Sequence, residues 1–360
     1  MNTEFGVNSP QAVKYWSDLT MREALKHTML MRFVGKSKRS VIQKIDDLES
    51  SAGDTIKYDL LLQATGAGVT GDNRLEGNEE ALVYEQDSVV VDQIRHAHSF
   101  RKMSQQRTLH DLRSDAKENL SDWLYGWLDN LLFRNLCGDT TVSHGQAASA
   151  PDTDHYILAG SATKTGVIAT DEGNLDSNDV ITLSDLDKCK ELAGAPDSDE
   201  IPIRPVNING QDMYVVILHD YSVYDLRLDT ANASTITWPE IQMNAALRGP
   251  KNPIFTGALG IYNNMILHQS SRIYSPIANV RRNLFLGAQA GVLAWANAYK
   301  PIDGKAFKAN QYAKWVERLG DYDNEKGISV GTTVGMKSCR FNSKDFGKIV
   351  LPTYAAKHSG

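Results

Sequence analysis

From Thr55 to Gln63 apolar and polar residues alternate. Ile56, Tyr58, Leu60 and Leu62 fall on one parity and Lys57, Asp59 and Gln63 on the other, the two-residue period of a strand with one face covered. A second extended stretch runs from Ala81 to about His98. There Leu82 and Tyr84, and further on Val90 and Ile94, share a parity that Gln86 to Ser88 interrupt. Between the two lies Gly66 to Glu80, rich in Gly, Asn, Asp and Glu. The pattern predicts a long antiparallel ribbon with a polar tip. A lone two-stranded ribbon is marginal in water, so it has to lie on something.

The period then changes. Leu109, Leu112, Ala116, Leu120, Trp123, Trp127, Leu131 and Asn135 recur at helical spacing, and Leu124, Leu128 and Leu132 widen the stripe. This predicts one long helix over about 105–137, stopped by Gly138. Its Trp pair reads as core or subunit interface. A shorter amphipathic helix is expected near the start of the chain, with Ser9 as cap, Pro10 in its first turn and Val13, Trp16 and Leu19 on one face, running towards Leu30. Gly35 to Ser40 follows as a short basic linker.

Residues 138–180 are dominated by Gly, Ala, Ser, Thr and Asp around a small apolar island at Tyr156 to Leu158. Beyond them the expected elements are a helix from Leu183 to Ala193 capped by Thr182 or Ser184, a buried strand at Met213–Leu218 and a short helix at Tyr221–Leu228. A strand at Ile261–His268 and extended segments at Ile328–Phe341 and Lys348–Tyr354 complete the series. Helices and strands mix without a βαβ rhythm, so the fold class is α+β. No internal repeat is visible.

Composition narrows the function classes. With 41% hydrophobic and 23% charged residues in 360, the chain can bury a substantial core. A net charge of −6 carries no basic signature for nucleic acid. Cys137, Cys189 and Cys339 are odd in number and far apart, which favours free thiols in a reducing compartment. The polar start lacks a signal-peptide pattern, and no apolar run approaches the length of a membrane span.

Four motifs invite chemistry. Gly66-Ala67-Gly68-Val69-Thr70-Gly71 matches a dinucleotide fingerprint, but the residues that follow have no apolar face for the required helix, and Asp72 stands where a phosphate-binding loop needs lysine. Gly287-Ala288-Gln289-Ala290-Gly291 has the frame of a nucleophile elbow with an amide in place of the serine. Asp321 to Gly327 begins like a calcium loop, but Lys326 takes the glycine position and Thr332 that of the bidentate glutamate. His96 and His98 share one face of a strand and could chelate a metal. His110 is the nearest extra candidate, no cluster completes the site, and a structural role is the simpler reading. The sequence therefore predicts no catalytic, cofactor-binding or metal-binding residues and no cofactor.

Several stretches resemble one family of tailed-bacteriophage major capsid proteins. They are Phe5-Gly6-Val7 through Trp16-Ser17, Ala52 to Ile56, Gly71 to Gly77, Arg107 to Arg113, Leu286 to Gly291 and Tyr322 to Gly331. They span nearly the whole chain, and the element order (arm, ribbon, long helix, mixed region) is similar to the Johnson fold shared with herpesvirus capsid floors and encapsulins. The resemblance implies an N-terminal arm at 1–50, an extended β-hairpin loop at 51–103 and a peripheral domain with the spine helix and a polar insertion at 104–182. A mainly axial domain with return strands at 183–340 and a C-terminal strand and tail at 341–360 would follow.

It also implies a protein that is not an enzyme. The chain would self-assemble into pentamers and hexamers of an icosahedral virion shell around double-stranded DNA, after synthesis in the host cytoplasm. Partners would be other copies, a portal protein at one vertex, optional decoration and scaffolding proteins, and DNA held without sequence specificity, with no membrane. The ribbon and arm are expected to bury their apolar faces only on neighbours. An encapsulin-like compartment shell is the alternative within the fold; a nucleotide-dependent oxidoreductase built on Gly66–Gly71 is the one outside it.

Overall fold

A computed structural model describes residues 28–48, 54–61, 66, 68–142, 144–160, 171–194, 202–208, 210–228, 259–296 and 312–358. In chain order the strands are β1 (Val34–Gly35), β2 (Ile42–Leu48), β3 (Thr55–Leu61), β4 (Tyr84–Val90), β5 (Asp92–Arg101), β6 (Val206–Ile208), β7 (Gln211–Leu218) and β8 (Gly260–Tyr262). They continue as β9 (Met265–Gln269), β10 (Val280–Leu286), β11 (Gly291–Ala296), β12 (Ala313–Gly320), β13 (Glu325–Ser338), β14 (Arg340–Phe341), β15 (Lys344–Asp345) and β16 (Lys348–Tyr354). The helices are α1 (Lys102–Arg107), α2 (Leu112–Leu136), α3 (Leu183–Gly194) and α4 (Asp220–Leu228). The expected helix at Ser9 lies outside the described residues except for its end, where Leu30–Phe33 forms a single 3-10 turn.

Two six-stranded sheets carry the fold. The first runs β1-β2-β11-β13-β12 with β5 added to β13, and the second runs β16-β10-β7-β9-β8 with β6 added to β7. The alternation of side chains sorts the core into layers. In β11, Leu293 and Trp295 pack with α2 in the largest cluster, whereas Val292, Ala294 and Ala296 face the opposite way under β3. In β7, Val215 and Ile217 join the α2 cluster, while Val216 and Leu218 turn to α3 and α4. Phe285 of β10 and Ile349 and Leu351 of β16 do the same. Strands covered on both faces need apolar residues at every position, hence the unbroken runs at 213–218 and 291–296.

Helix α2 is the spine between these layers, with Leu120, Leu124, Leu128, Leu132 and Leu136 fully buried. It starts later than the stripe suggests. Asp111 caps it by accepting the amide of Arg113 at 3.1 Å, and Thr108 Oγ1 takes the amide of His110 at 3.2 Å. These local bonds compete with helix formation, so Leu109 stands outside the helix and fully exposed. At 25 residues the rod is about 38 Å long. Gly138, at φ +71°, ends it as expected. Arg113 binds the buried Glu317 of β12 at 2.6 Å. Asp129 accepts the amide of Leu30 at 3.3 Å and faces Arg272 at 3.4 Å.

The capped helix is confirmed as α3: the Thr182 amide and hydroxyl donate to Asp185, whose amide donates back to Thr182 Oγ1 at 3.3 Å, a reciprocal capping box. The stretch from Ile261 to His268 is a hairpin instead of one strand, because Asn263 and Asn264 both adopt positive φ and turn the chain between β8 and β9. The apolar island at Tyr156–Leu158 extends alongside β16, with Ile157 N donating to Val350 O and Ala159 N to Pro352 O, both at 3.0 Å. The segment expected to reach outward as an arm is, from Ile42 to Leu48, built into the chain's own first sheet, parallel to β11.

Candidate functional site

The ribbon departs most from expectation. β3 and β4 pair antiparallel from Thr55↔Val90 to Leu61↔Tyr84, but β5 leaves them and pairs with β13. The covered face of β3 is the predicted one, with Ile56, Tyr58 and Leu60 buried. Its cover is the same chain: β11, Cys339 and Phe346. The expectation that this face needs a neighbour is therefore corrected. The parity assigned to the second strand is reversed as well. Directly paired residues share a face, so Val89 and Asp87 point inward opposite Ile56 and Tyr58. Asp87 tolerates this because Tyr58 Oη donates to it at 2.9 Å and Lys337 pairs with it. Tyr84, which shares the parity of Leu82 and Val90, is 56% exposed.

Beyond the pairing, residues 68–83 carry no strand or helix. Leu75 is 61% exposed, Leu82 68% and Val83 50%. The glycine motif lies here, in a loop. Gly68, Gly71 and Gly77 take positive φ, a conformation that glycine adopts without cost. The amide of Gly66 donates to Glu80 at 2.8 Å and that of Gly77 to Glu79 at 2.7 Å. Carboxylates thus occupy donors that a phosphate would need, and no helix N-terminus follows to hold one. Asn73 and Asn78 donate to the carbonyls of Thr70 and Arg74, both at 2.9 Å, so the loop is shaped by its own polar side chains.

The other motifs resolve into turns. Gln289, at φ +55°, sits in the tight connection between β10 and β11 and donates to Gln43 Oε1 at 3.0 Å. Asp321, Tyr322 and Asp323 are all left-handed and form the turn between β12 and β13, with Tyr322 fully exposed. His96 and His98 do share one side of β5, against α2. Among the described residues no group of three or more His, Cys, Asp or Glu is placed to hold a metal, and no helix is long and apolar enough to cross a membrane. The three cysteines are buried and unpaired with one another.

Sequence reading missed one ionic cluster. Lys348 is fully buried, donating to Leu136 O at 3.0 Å and Ser338 Oγ at 3.1 Å and facing Asp345 at 3.7 Å. Asp345 also meets Arg340 at 3.2 Å and accepts the amide of Asp152 at 3.2 Å. Burial pulls the lysine pKa down, against Asp345, which holds it up. The cluster joins the end of α2, the end of β13 and the start of β16. Lys348 and Asp345 at its centre are sealed from solvent, which is the arrangement of a structural tie.

The ribbon thus carries a bare tip, with Leu75, Leu82 and Val83 exposed, on a base rooted in its own subunit. The family model for phage capsid protein matches residues 4–357. The major capsid protein of Pseudomonas phage KPP25 is 25% identical over 387 residues, covering 98% of this chain and 97% of that protein. The capsid of Ralstonia phage GP4 superposes with a TM-score of 0.74 at 31% identity, over 91% of each chain. The Cyanophage Pam1 capsid shares the fold with a TM-score of 0.70 at 22% identity, over 93% of this chain and 94% of that one. The chain belongs to the phage capsid protein family, with the tailed-phage capsid fold expected from its element order, and it is a major capsid protein, a structural subunit of the virion shell.

Proposed function

We propose that the chain tiles an icosahedral shell as pentamers and hexamers, with the ribbon tip laid on an adjacent copy as the principal clasp. Shell-building is its whole task, and it catalyses no reaction. The observation that carries this is the contrast along the ribbon: a base buried in its own subunit and a tip where Leu75, Leu82, Val83 and Tyr84 are bare. Covering such residues is favourable in proportion to the apolar area removed from water, and summed over many copies modest contacts make a closed shell stable even though each association has its own entropic cost.

In this reading the first sheet and α2 form the peripheral domain, and the second sheet with α3 and α4 forms the axial domain around the five-fold and six-fold positions. The shell takes a portal at one vertex and encloses double-stranded DNA, which the net charge of −6 leaves to non-specific contact. Decoration or scaffolding proteins are optional partners, and assembly takes place in the host cytoplasm. Deleting Gly66 to Glu80 is expected to give subunits with an unchanged circular dichroism spectrum and thermal midpoint that form no shells under negative-stain microscopy. Closed particles of normal stability from that variant would remove the tip from its role.

A further inference from the structure

His96 and His98 were set aside in the sequence for want of a third ligand, yet the fold holds them in a specific way. β5 is bonded to β13 alone, so it is an edge of the first sheet. The side carrying both histidines lies across α2. The His96 ring sits 4.7 Å from that of Trp123, and His98 Nε2 lies 2.9 Å from Asn119 Oδ1. Asn119 and Trp123 are one helical turn apart, so the helix offers one seat to each imidazole. The two imidazole centroids are 5.5 Å apart at an interplanar angle of 68°.

The chemistry of the seats matters. An amide oxygen only accepts, so the contact with Asn119 places the His98 proton on Nε2 and leaves Nδ1 as a bare lone pair. A metal-binding histidine is usually held in this way, its second nitrogen donating to an oxygen that sets tautomer and ring orientation. Neither imidazole has another hydrogen-bond or ion-pair partner among the described residues, and His96 is exposed to solvent. Two imidazoles held at about 2.0 Å from one ion with a tetrahedral angle between them have centroids roughly 5 Å apart, close to the 5.5 Å found here.

We propose that His96 and His98 form a two-imidazole chelate for a nitrogen-preferring divalent transition ion such as Cu2+, Ni2+ or Zn2+, at the open edge of the first sheet. Asn119 is a positioning residue that acts through His98. Ca2+ and Mg2+ are excluded because they require oxygen donors, and the remaining coordination positions are left to water. Imidazole sites follow the general affinity order that puts Cu2+ highest, so Cu2+ is the most sensitive probe.

The test is a Cu2+ titration of the full-length chain, followed by calorimetry and by tryptophan emission, which Cu2+ quenches at short range. One equivalent should bind, reversibly to EDTA, with part of the emission lost. His96→Gln and His98→Gln should each weaken binding at least about tenfold, and Asn119→Ala about tenfold although it touches no metal. Trp123→Phe should keep the calorimetric binding and lose most of the quenching, and His110→Gln should change nothing. If His98→Gln is unfolded by circular dichroism, His96→Gln decides, because an exposed side chain can be exchanged without loss of core. Binding that persists unchanged in His96→Gln is adventitious binding at other histidines and overturns the proposal. So does an equal loss in His110→Gln.

Discussion

Asp152 shows how single residues set the acid limit of this subunit. Burial pushes its carboxyl pKa up, but His155, the His155 amide at 2.7 Å and the amide of Asp345 outweigh that and bring it to about 2. The folded-state pKa therefore lies below the ordinary 3.8. The unfolded chain takes up the proton first as pH falls, so the stabilisation is complete above about pH 4 and disappears towards pH 2. One pKa unit is worth about 1.4 kcal/mol, which makes the contribution about 2 kcal/mol. Asp152→Asn is expected to lose that amount at neutral pH in urea unfolding of unassembled subunits, with the gap to the parent protein closing between about pH 4 and pH 2. A gap that stays constant over this range would mean that the charge of Asp152 is not what stabilises the fold. None of this was legible in the sequence. Asp152 is one of many acids in a polar stretch, and Lys348 opens an apolar strand with no periodic signal that its ammonium is buried.

Elements were read more successfully than their ends and partners. The strict alternation of Thr55–Leu61 and the leucine stripe of α2 each specify a face, because burial on one side leaves a period in the sequence. The overextension of α2 to Leu109 came from trusting that period past Asp111, a residue whose side chain caps helices. The reversed parity of β4 has a different origin: the inward residue Asp87 is polar, and its cost is met by Tyr58 and Lys337, partners distant in sequence. The route of β5 away from the ribbon is fixed at Gly335. The Val90 carbonyl, at the corner between β4 and β5, approaches so closely that a methyl group at Gly335 would fall on it. Gly335→Ala is expected to destabilise the subunit by about 1–3 kcal/mol, the usual cost of overpacking, read as a lower urea midpoint. An unchanged midpoint would show that the corner moves freely.

For the whole molecule, composition excluded classes of function without naming one. The naming came from residues scattered over nearly the full length and from the order of the elements. Which surfaces stay bare is a property of the folded chain that the pattern could not give, since an apolar strand face reads the same whether its own subunit or another covers it. The present division has a direct consequence for accessibility. In unassembled subunits, limited proteolysis is expected to cut first between residues 68 and 83, where Arg74, Leu75 and Leu82 are exposed, and to leave the core intact. In assembled shells the same sites should be protected several-fold. Equal cleavage rates in the two states would place the tip away from any contact.

β13 is one unbroken strand of 14 residues, about 46 Å of contour. Its outer part is flanked by β12 and β5, and its inner end is bonded to β11. Ladder bonds lie across the strand direction, so tension applied at the Asp321–Asn324 turn loads them in shear, and many must fail together before the strand slides. The β3–β4 pair is held differently: it is a two-stranded sheet with no ladder to either large sheet, so a pull on its loop is resisted by side-chain packing against β11 and its neighbours. Strained from outside, the subunit should yield at the ribbon long before the beam beneath it gives way.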